Sequence, residues 1–213
     1  MKYLLFSHGF GVKKDGRGMF TEIAENFTQY MPVMFDYNVI DAEHNEVTVE
    51  PYSKQADILN DQIAKIYGLD KNADITLICH SQGCIIPCLI DDIAVDKAVL
   101  LAPPKTVGSS LRKNNAAREE NGNVRVPRKD GSTTIVTADF IKELDSTKPI
   151  ELYRRLATKT NTTIIIAKQD EILSDIDFED LKDQIRTIEI DGDHNFTGKN
   201  RKGLIETLSE ILT

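Results

Sequence analysis

The chain has 213 residues, of which 40% are hydrophobic and 28% are charged, an ordinary balance for a globular protein. This length allows one sizeable core, and we treat residues 1–213 as a single domain. The formal net charge of -8 argues against a general nucleic-acid binder, which normally carries a basic face. No apolar run approaches the roughly 20 residues needed to span a bilayer, so stable membrane insertion is not expected.

The N-terminal stretch "MKYLLFSHGFG" contains one lysine and a short apolar run. The run is too short for the hydrophobic part of a signal peptide, and no small-residue cleavage site follows it, so a strand is the better interpretation. Three cysteines, Cys79, Cys84 and Cys88, lie in apolar context without metal-ligand spacing. We interpret them as reduced core thiols, in keeping with a cytoplasmic protein.

Apolar segments of β type recur along the chain with helical segments between them. Most are continuous rather than alternating, which is typical of parallel strands covered on both faces. The predicted strands are residues 2–7, 32–37, 74–79, 97–102, 162–167 and 185–190. The predicted helices include residues 53–68, 148–159 and 202–212. This alternation predicts an α/β fold, with about six mostly parallel strands and helices on both faces of the sheet.

Residues 103–148 break the alternation. They are rich in Gly, Asn, Ser, Lys and Arg and lack a strong helical period. Within them, residues 124–137 predict a hairpin that turns at residues 129–132, and residues 137–145 predict a short helix capped by Thr137. An insertion of this length in a compact domain is usually functional or disordered, and this one has enough structure to be a small lid.

The letters "CHSQGC" place a serine between two segments that both look buried. Ser81 comes at the end of the strand at 74–79, and a helix is expected to begin at about the same place. A sharp strand-to-helix turn holds a serine in a strained conformation above the sheet and needs small residues two positions before and after it. Gly83 meets this need well, and Cys79 is acceptably small. Because ligands bind beyond the carboxyl ends of parallel strands, Ser81 is the candidate nucleophile.

A serine nucleophile needs a base, and the chain has four histidines. His44 lies in the polar stretch "DAEHNEV" and is expected on the surface. His80 adjoins the serine, so its side chain should point elsewhere. His8 is followed by a glycine at the end of the first strand, which indicates a structural role. His194, just past the last strand, is therefore the candidate base.

The base in turn needs an acid to orient it. Asp170, in "IIIAKQDEIL", follows the strand before the one that leads to the histidine and is the candidate acid. Asp175 and Asp177, in the acidic stretch after it, stay as alternatives. Asp191 and Asp193 are interpreted as turn residues that shape the loop carrying the histidine.

The order Ser81, Asp170, His194, with "CHSQG" as the nucleophile elbow, resembles the α/β-hydrolase superfamily. The "HGFG" segment resembles the oxyanion loop of that superfamily, and the resemblance implies that the backbone N–H groups of Phe10 and Gln82 hold the developing oxyanion. It also implies that the insertion is the cap. Around these residues, the positions expected to shape the site are His8, Gly9, Gly11, His80 and Gly83.

Two features depart from the superfamily pattern. The chain begins directly at the strand that leads to "HGFG", so we expect a minimal sheet of six strands without the first two strands of the superfamily. The elbow has Cys79 where glycine is commoner.

The resemblance implies two-step acyl transfer by a serine hydrolase, without a metal ion or an organic cofactor. The expected partner is a small carboxylic ester. Two other functions stay open: a ligand-binding protein that keeps the fold without turnover, and a thioesterase or C–C hydrolase on the same scaffold.

One segment of the insertion is basic. Residues 105–130 contain seven basic and three acidic side chains, a net charge of +4, which leaves -12 for the rest of the chain. Such a segment is either a solvated polar surface or part of a lid that attracts a substrate with a carboxylate or phosphate group.

Overall fold

The computed structural model describes residues 1–108, 117–128, 130–173 and 175–212. The strands within these ranges are β1 (Lys2–Ser7), β2 (Met31–Met34), β3 (Val39–Asp41), β4 (Glu46–Val49), β5 (Asp74–His80), β6 (Lys97–Leu101), β7 (Ala117–Arg118), β8 (Val124–Pro127), β9 (Thr133–Val136), β10 (Asn161–Ala167) and β11 (Arg186–Ile190). The α-helices are α1 (Met19–Asn26), α2 (Tyr52–Leu69), α3 (Ala138–Ser146), α4 (Pro149–Ala157) and α5 (Lys199–Leu212). Short 3₁₀ turns cover Ser81–Cys84, Ile86–Leu89 and Glu179–Leu181.

Six strands form one parallel sheet in the order β11-β10-β6-β5-β1-β2, which confirms the predicted α/β fold. Each predicted strand lies in it. The second strand is shorter than predicted, because the backbone turns away from the sheet after Met34. There the amide of Tyr37 donates to Nε2 of His8, and a carboxylate oxygen of Asp36 accepts from the amide of Lys14.

Helices cover both faces of this sheet, as the continuous apolar strands predicted. On one face, α2 and α4 contribute buried side chains such as Leu59 and Tyr153. On the other face, α1 and α5 contribute side chains such as Ile23 and Leu204. In the part of the chain that the structure describes, no helix is both long enough and apolar enough to cross a membrane.

The segment after β5 differs from the helix expected there. It forms two successive 3₁₀ turns, Ser81–Cys84 and Ile86–Leu89. Pro87 explains the difference, since it has no amide hydrogen and its ring would clash with the carbonyl four residues earlier in a continuous α-helix. Although the helix is absent, Cys84 and Cys88 are buried free thiols, which agrees with their prediction as core residues.

A second sheet, in the order β3-β4-β9-β8-β7, joins the insertion to a distant segment. β8 and β9 form the predicted hairpin, closed by a hydrogen bond from the amide of Arg128 to the carbonyl of Ser132. Lys129 of the predicted turn lies outside the described residues. β9 pairs in parallel with β4, which itself pairs with β3, and the sequence did not predict these two strands. His44, in the loop between them, is exposed as predicted and contacts Asp41.

Helix α3 ties the insertion to the main domain. Its predicted cap is present, because the hydroxyl of Thr137 accepts a hydrogen bond from the amide of Phe140 at 3.3 Å. The same hydroxyl donates to the carbonyl of Val49 in β4 at 3.1 Å. The buried ring of Phe140 lies 4.8 Å from that of Tyr52 in α2 and 5.8 Å from that of Phe10, measured between centroids. The insertion is therefore held against both the helical layer and the "HGFG" segment.

We expect Thr137→Ala to lower the free energy of unfolding by about 1–2 kcal/mol, because it removes a helix cap and the bond to Val49 together. Urea unfolding measures the change. Thr158→Ala is the matched control, since that hydroxyl lies on the exposed end of α4 and bonds only locally to Arg155. It should change stability by less than about 0.5 kcal/mol. Equal effects of the two substitutions would contradict this account of the cap.

Candidate active site

Ser81 has the strained backbone expected of a nucleophile elbow. Its φ angle is 54°, in the left-handed region that residues other than glycine seldom occupy. Gly83 provides the room for this turn: a Cβ atom there would lie 2.5 Å from the carbonyl oxygen of His8 and closer still to that of Ser7. Cys79 fits at the other small position, fully buried. The turn raises the serine hydroxyl at the carboxyl end of β5.

Ser81, His194 and Asp170 form one hydrogen-bonded chain. Nε2 of His194 lies 2.9 Å from Oγ of Ser81, and Nδ1 lies 2.7 Å from Oδ2 of Asp170. The three residues follow β5, β11 and β10, whose carboxyl ends share one edge of the parallel sheet. The alternative acids lie elsewhere: Asp175 is 3.3 Å from the ammonium of Lys105, and Asp177 accepts from a backbone amide in its own turn.

The carboxylate of Asp170 is fully buried beside its histidine partner. Burial alone would raise its pKa, but hydrogen bonds from His194 and from the amides of Leu173 and Ile172 outweigh that effect, and the pKa is lowered. Asp170 therefore stays ionised at neutral pH. Because a carboxylate only accepts hydrogen bonds, Nδ1 of His194 carries the proton, and Nε2 faces Ser81 as an acceptor.

His80 lies beneath the loop that carries His194. Its Nε2 is 2.8 Å from the carbonyl oxygen of His194, and the two rings are 4.9 Å apart. Burial, reinforced by the nearby His194, lowers the pKa of His80 to about 3. His80 is therefore neutral and donates its Nε2 proton to that carbonyl. The side chain is thus bonded to the backbone of His194 and supports the histidine loop.

Arg201 of α5 supports the same loop, although no sequence motif identifies it. Its guanidinium donates to the carbonyls of Phe196 and Asn195, at 3.1 and 3.0 Å. Phe196 has a φ of 49°, so the loop turns sharply directly after His194 and Asn195. The turn residue Asp193 also accepts from Thr197, which fits its predicted role. The one available signal was an arginine on the apolar side of the last helix.

A second buried network holds the "HGFG" segment. His8 is neutral because burial lowers its pKa; its Nδ1 donates to the carbonyl of Gly9, and its Nε2 accepts from the amide of Tyr37. The hydroxyl of Tyr37 lies 2.8 Å from that of Ser7, which donates to the carbonyl of Gly83 at 2.8 Å. This chain connects β1 to the elbow. Ser7 and Tyr37 were not among the predicted site residues.

The "HGFG" segment packs directly on the nucleophile. A Cβ atom at Gly9 would lie 3.1 Å from Cβ of Ser81, and Gly11 has a φ of 62°, which suits glycine. Phe10, between these glycines, and Gln82, directly after the serine, both line the pocket that contains Ser81. The residues expected to hold an oxyanion thus border the same pocket as the candidate nucleophile.

The pocket above Ser81 has a volume of about 260 Å³ and includes His194. Eight of the described residues that line it come from the insertion: Pro104, Thr106, Val107, Gly108, Val126, Arg128, Phe140 and Leu144. The apolar side chains among them form part of the pocket wall. Among the described residues, no group of three or more His, Cys, Asp or Glu side chains is placed to hold a metal ion.

No protein-family model and no curated protein matches the sequence, but solved structures match the fold. Est1E from Butyrivibrio proteoclasticus with bound ferulic acid has a TM-score of 0.71 and 14% identity, with 100% of this chain and 88% of that chain covered. An esterase domain from Rhodothermus marinus has a TM-score of 0.64 and 16% identity, with 98% and 85% covered. An alpha-beta serine hydrolase homologue from Coxiella burnetii has a TM-score of 0.64 and 15% identity, with 100% and 85% covered.

These likenesses, together with the six-stranded parallel sheet, confirm the predicted α/β-hydrolase fold. Identities near 15% establish the fold alone. What this chain does has to be argued from the side chains around Ser81.

Gly83→Ala tests the contact on which the elbow depends. We expect a loss of at least about 2 kcal/mol in the free energy of unfolding, because the backbone carbonyls beside Gly83 cannot rotate away as a flexible side chain would. Gly68→Ala is the control: this glycine of α2 has open space around it, so alanine should stabilise the helix by about 0.5–1 kcal/mol. Urea unfolding of both variants measures these changes. If Gly83→Ala leaves the free energy of unfolding unchanged, the backbone contact at Gly83 is not as close as proposed.

Proposed function

We propose that this protein is a serine hydrolase that cleaves small carboxylic esters through an acyl-enzyme. The observation that carries the proposal is the unbroken chain of hydrogen bonds from Ser81 through His194 to the ionised Asp170, at the edge of a pocket. A serine hydroxyl is a weak nucleophile at neutral pH, and this arrangement of base and orienting acid is what activates it.

In the first step, His194 accepts the Ser81 proton at Nε2 while Oγ attacks the ester carbonyl. Asp170 keeps the imidazole in the required tautomer and stabilises the imidazolium that forms. His194 then donates the proton to the departing alcohol. In the second step, water attacks the acyl-enzyme by the same route, and Ser81 is released with its proton.

The developing negative charge on the carbonyl oxygen needs fixed donors. We assign this role to the backbone N–H groups of Phe10 and Gln82, which flank the serine. Each such donor is typically worth about 10²–10³ in rate. The networks of Ser7 and His8 would keep Phe10 in place, so that no reorganisation is needed when the charge forms.

The size of the pocket favours small esters. A volume of about 260 Å³ lies at the lower end of the range of ligand pockets, which favours a short acyl chain with a small alcohol over a long lipid chain. The chain is also similar in fold to an esterase domain, which agrees with ester chemistry although it does not by itself establish it.

Ser81→Ala should lower ester hydrolysis at least about 10³-fold with little change in thermal stability, because the covalent route disappears. His194→Ala should be nearly as damaging, and the double variant scarcely worse, because the two residues act as one unit. His44→Ala is the control and should retain full activity, since His44 is exposed and contacts Asp41. Hydrolysis of 4-nitrophenyl butyrate gives the rates.

Labelling with a fluorophosphonate and intact-mass analysis completes this test. A single adduct in the native protein, absent from the Ser81 variant, is expected. A protein that neither reacts with the probe nor hydrolyses aryl esters would be a ligand-binding protein with the same fold.

We further propose that residues 103–148 act as a lid that sets acyl-chain preference. Support comes from Phe140 and Leu144 of α3, which line the pocket, and from the packing of Phe140 on Phe10. A wall of this kind excludes water and selects substrate length more than it changes the chemistry.

Leu144→Ala should enlarge the pocket and shift the ratio of kcat/KM for 4-nitrophenyl octanoate over butyrate upward by about 3–10-fold, since one or two methylene groups in an apolar pocket are worth about 1–3 kcal/mol. Leu156→Ala is the matched control, because Leu156 is equally apolar and buried but does not line the pocket. It should lower stability without changing the ratio. If both variants keep the native ratio, α3 does not select the acyl chain.

A further inference from the structure

The charges around the pocket are of one sign. Of the described residues that line it, Arg17 and Arg128 carry a charge, and none is aspartate or glutamate. The chain as a whole has a net charge of -8, so a positive pocket is not a consequence of overall composition. Charged clefts of one sign concentrate ligands of the opposite sign.

Arg128 is fixed in place but incompletely hydrogen-bonded. Its Nε donates to Oγ1 of Thr134 at 2.7 Å, and its guanidinium lies 5.3 Å from the centre of the Phe10 ring. Its Nη2 is buried and has no hydrogen-bond partner among the described residues. Buried donors without partners are rare and costly, which points to a hydrogen-bond acceptor of a ligand that binds there.

Two other basic residues of the insertion are already paired with acidic side chains. Arg125 pairs with Glu46 and Glu119, and Lys105 lies within ion-pair distance of two aspartates. No acidic side chain in the described ranges comes within ion-pair distance of Arg128, and the side chains outside those ranges, which include Arg112 and Lys113, contain no aspartate or glutamate.

The alternation of strand β8 explains why these two arginines differ. Successive residues of a strand face opposite sides, so Arg125 lies on the side away from the pocket, whereas Val126 and Arg128 line the pocket. Arg125 therefore belongs to the solvated outer surface, and Arg128 is the residue of this strand that could contact an anion in the pocket.

We propose that Arg128 binds an anionic group, a carboxylate or a phosphate, on the substrate of this pocket. The inference rests on the proposed function, because it places the anion on the ester that Ser81 attacks. An arginine fork matches such oxygens in geometry, and a hydrogen bond to a charged group is stronger than one between neutral groups.

The electrostatic surroundings agree with this assignment. Burial lowers the pKa of Arg128, and the positive charge of Arg17 lowers it further. The nearby carboxylate of Asp130 acts in the opposite direction, and an anion bound beside the guanidinium would offset the lowering further.

The test measures binding without turnover. The Ser81→Ala protein is titrated by calorimetry with three anilides: neutral hexananilide, adipic acid monoanilide, and 4-(hexanoylamino)benzoate. The second carries a carboxylate on the acyl chain, and the third carries it on the leaving-group side. We expect one of the two charged compounds to bind at least about tenfold more tightly than the neutral one.

Variants in the same Ser81→Ala background assign the effect. Arg128→Gln should reduce the preference to less than about threefold, and Arg128→Lys should leave an intermediate preference, because lysine keeps the charge but not the fork. Arg125→Gln, on the other side of the strand, should keep the full preference. Phosphonate counterparts of the two charged anilides then distinguish a phosphate-bearing substrate from a carboxylate-bearing one.

Equal affinity for charged and neutral anilides, weak binding of all of them, or a preference that survives Arg128→Gln would overturn the inference. The proposed hydrolase activity is judged separately by the fluorophosphonate adduct of the native protein. If the adduct forms but anionic anilides are not preferred, the hydrolase activity is supported and the anion site is refuted. If anionic anilides are preferred but no adduct forms, the anion site is supported and the hydrolase activity is refuted.

Discussion

The candidate site depends on the close approach of two backbones, where the end of β1 meets the elbow after β5. The carbonyls of Ser7 and His8 leave no space for a side chain at Gly83, and the Ser7 hydroxyl donates to the Gly83 carbonyl. Because of this contact, the position of the "HGFG" segment is set relative to Ser81 by the sheet itself. Strain at Ser81 is tolerated because buried neighbours on both sides determine its conformation. Pre-organisation of this kind is what an oxyanion site requires.

Burial assigns different roles to histidines that share one chemistry. His8 and His80 are held neutral by desolvation, and each uses a ring nitrogen to fix a loop carbonyl. His194 differs because a buried, ionised Asp170 faces its Nδ1 and would stabilise the imidazolium. A charged His80 beside it would oppose that imidazolium. The neutral state of His80 therefore serves the proposed base as well as the loop.

The sheet and the three residues of the candidate triad could be predicted from the sequence, because the topology of a parallel sheet brings such residues together. In a parallel sheet all carboxyl ends share one edge, so a serine, an aspartate and a histidine that each follow a strand are brought together without knowledge of the details. The supports of the site could not be predicted in the same way. Tyr37 and Arg201 act through hydrogen bonds to backbone carbonyls or to another hydroxyl, and no local pattern marks such contacts. The α-helix expected after Ser81 is not formed because Pro87 interrupts it, and the pattern of apolar residues does not take this proline into account.

The second sheet marks the limit of local pattern most clearly, and the charge of the insertion depends on it. β4 meets β9 across more than 80 residues of sequence, and Arg125 meets Glu46 by the same pairing. From composition alone, the basic residues of the insertion would all be expected to have the same electrostatic environment. Once the strands are paired, Arg125 is neutralised by Glu46, whereas the half-buried Arg128 lies beside Phe10 with its Nη2 unpartnered among the described residues. A charge that costs desolvation and meets no acidic partner among the described residues agrees with the proposed anion, which would lie in the pocket above Ser81.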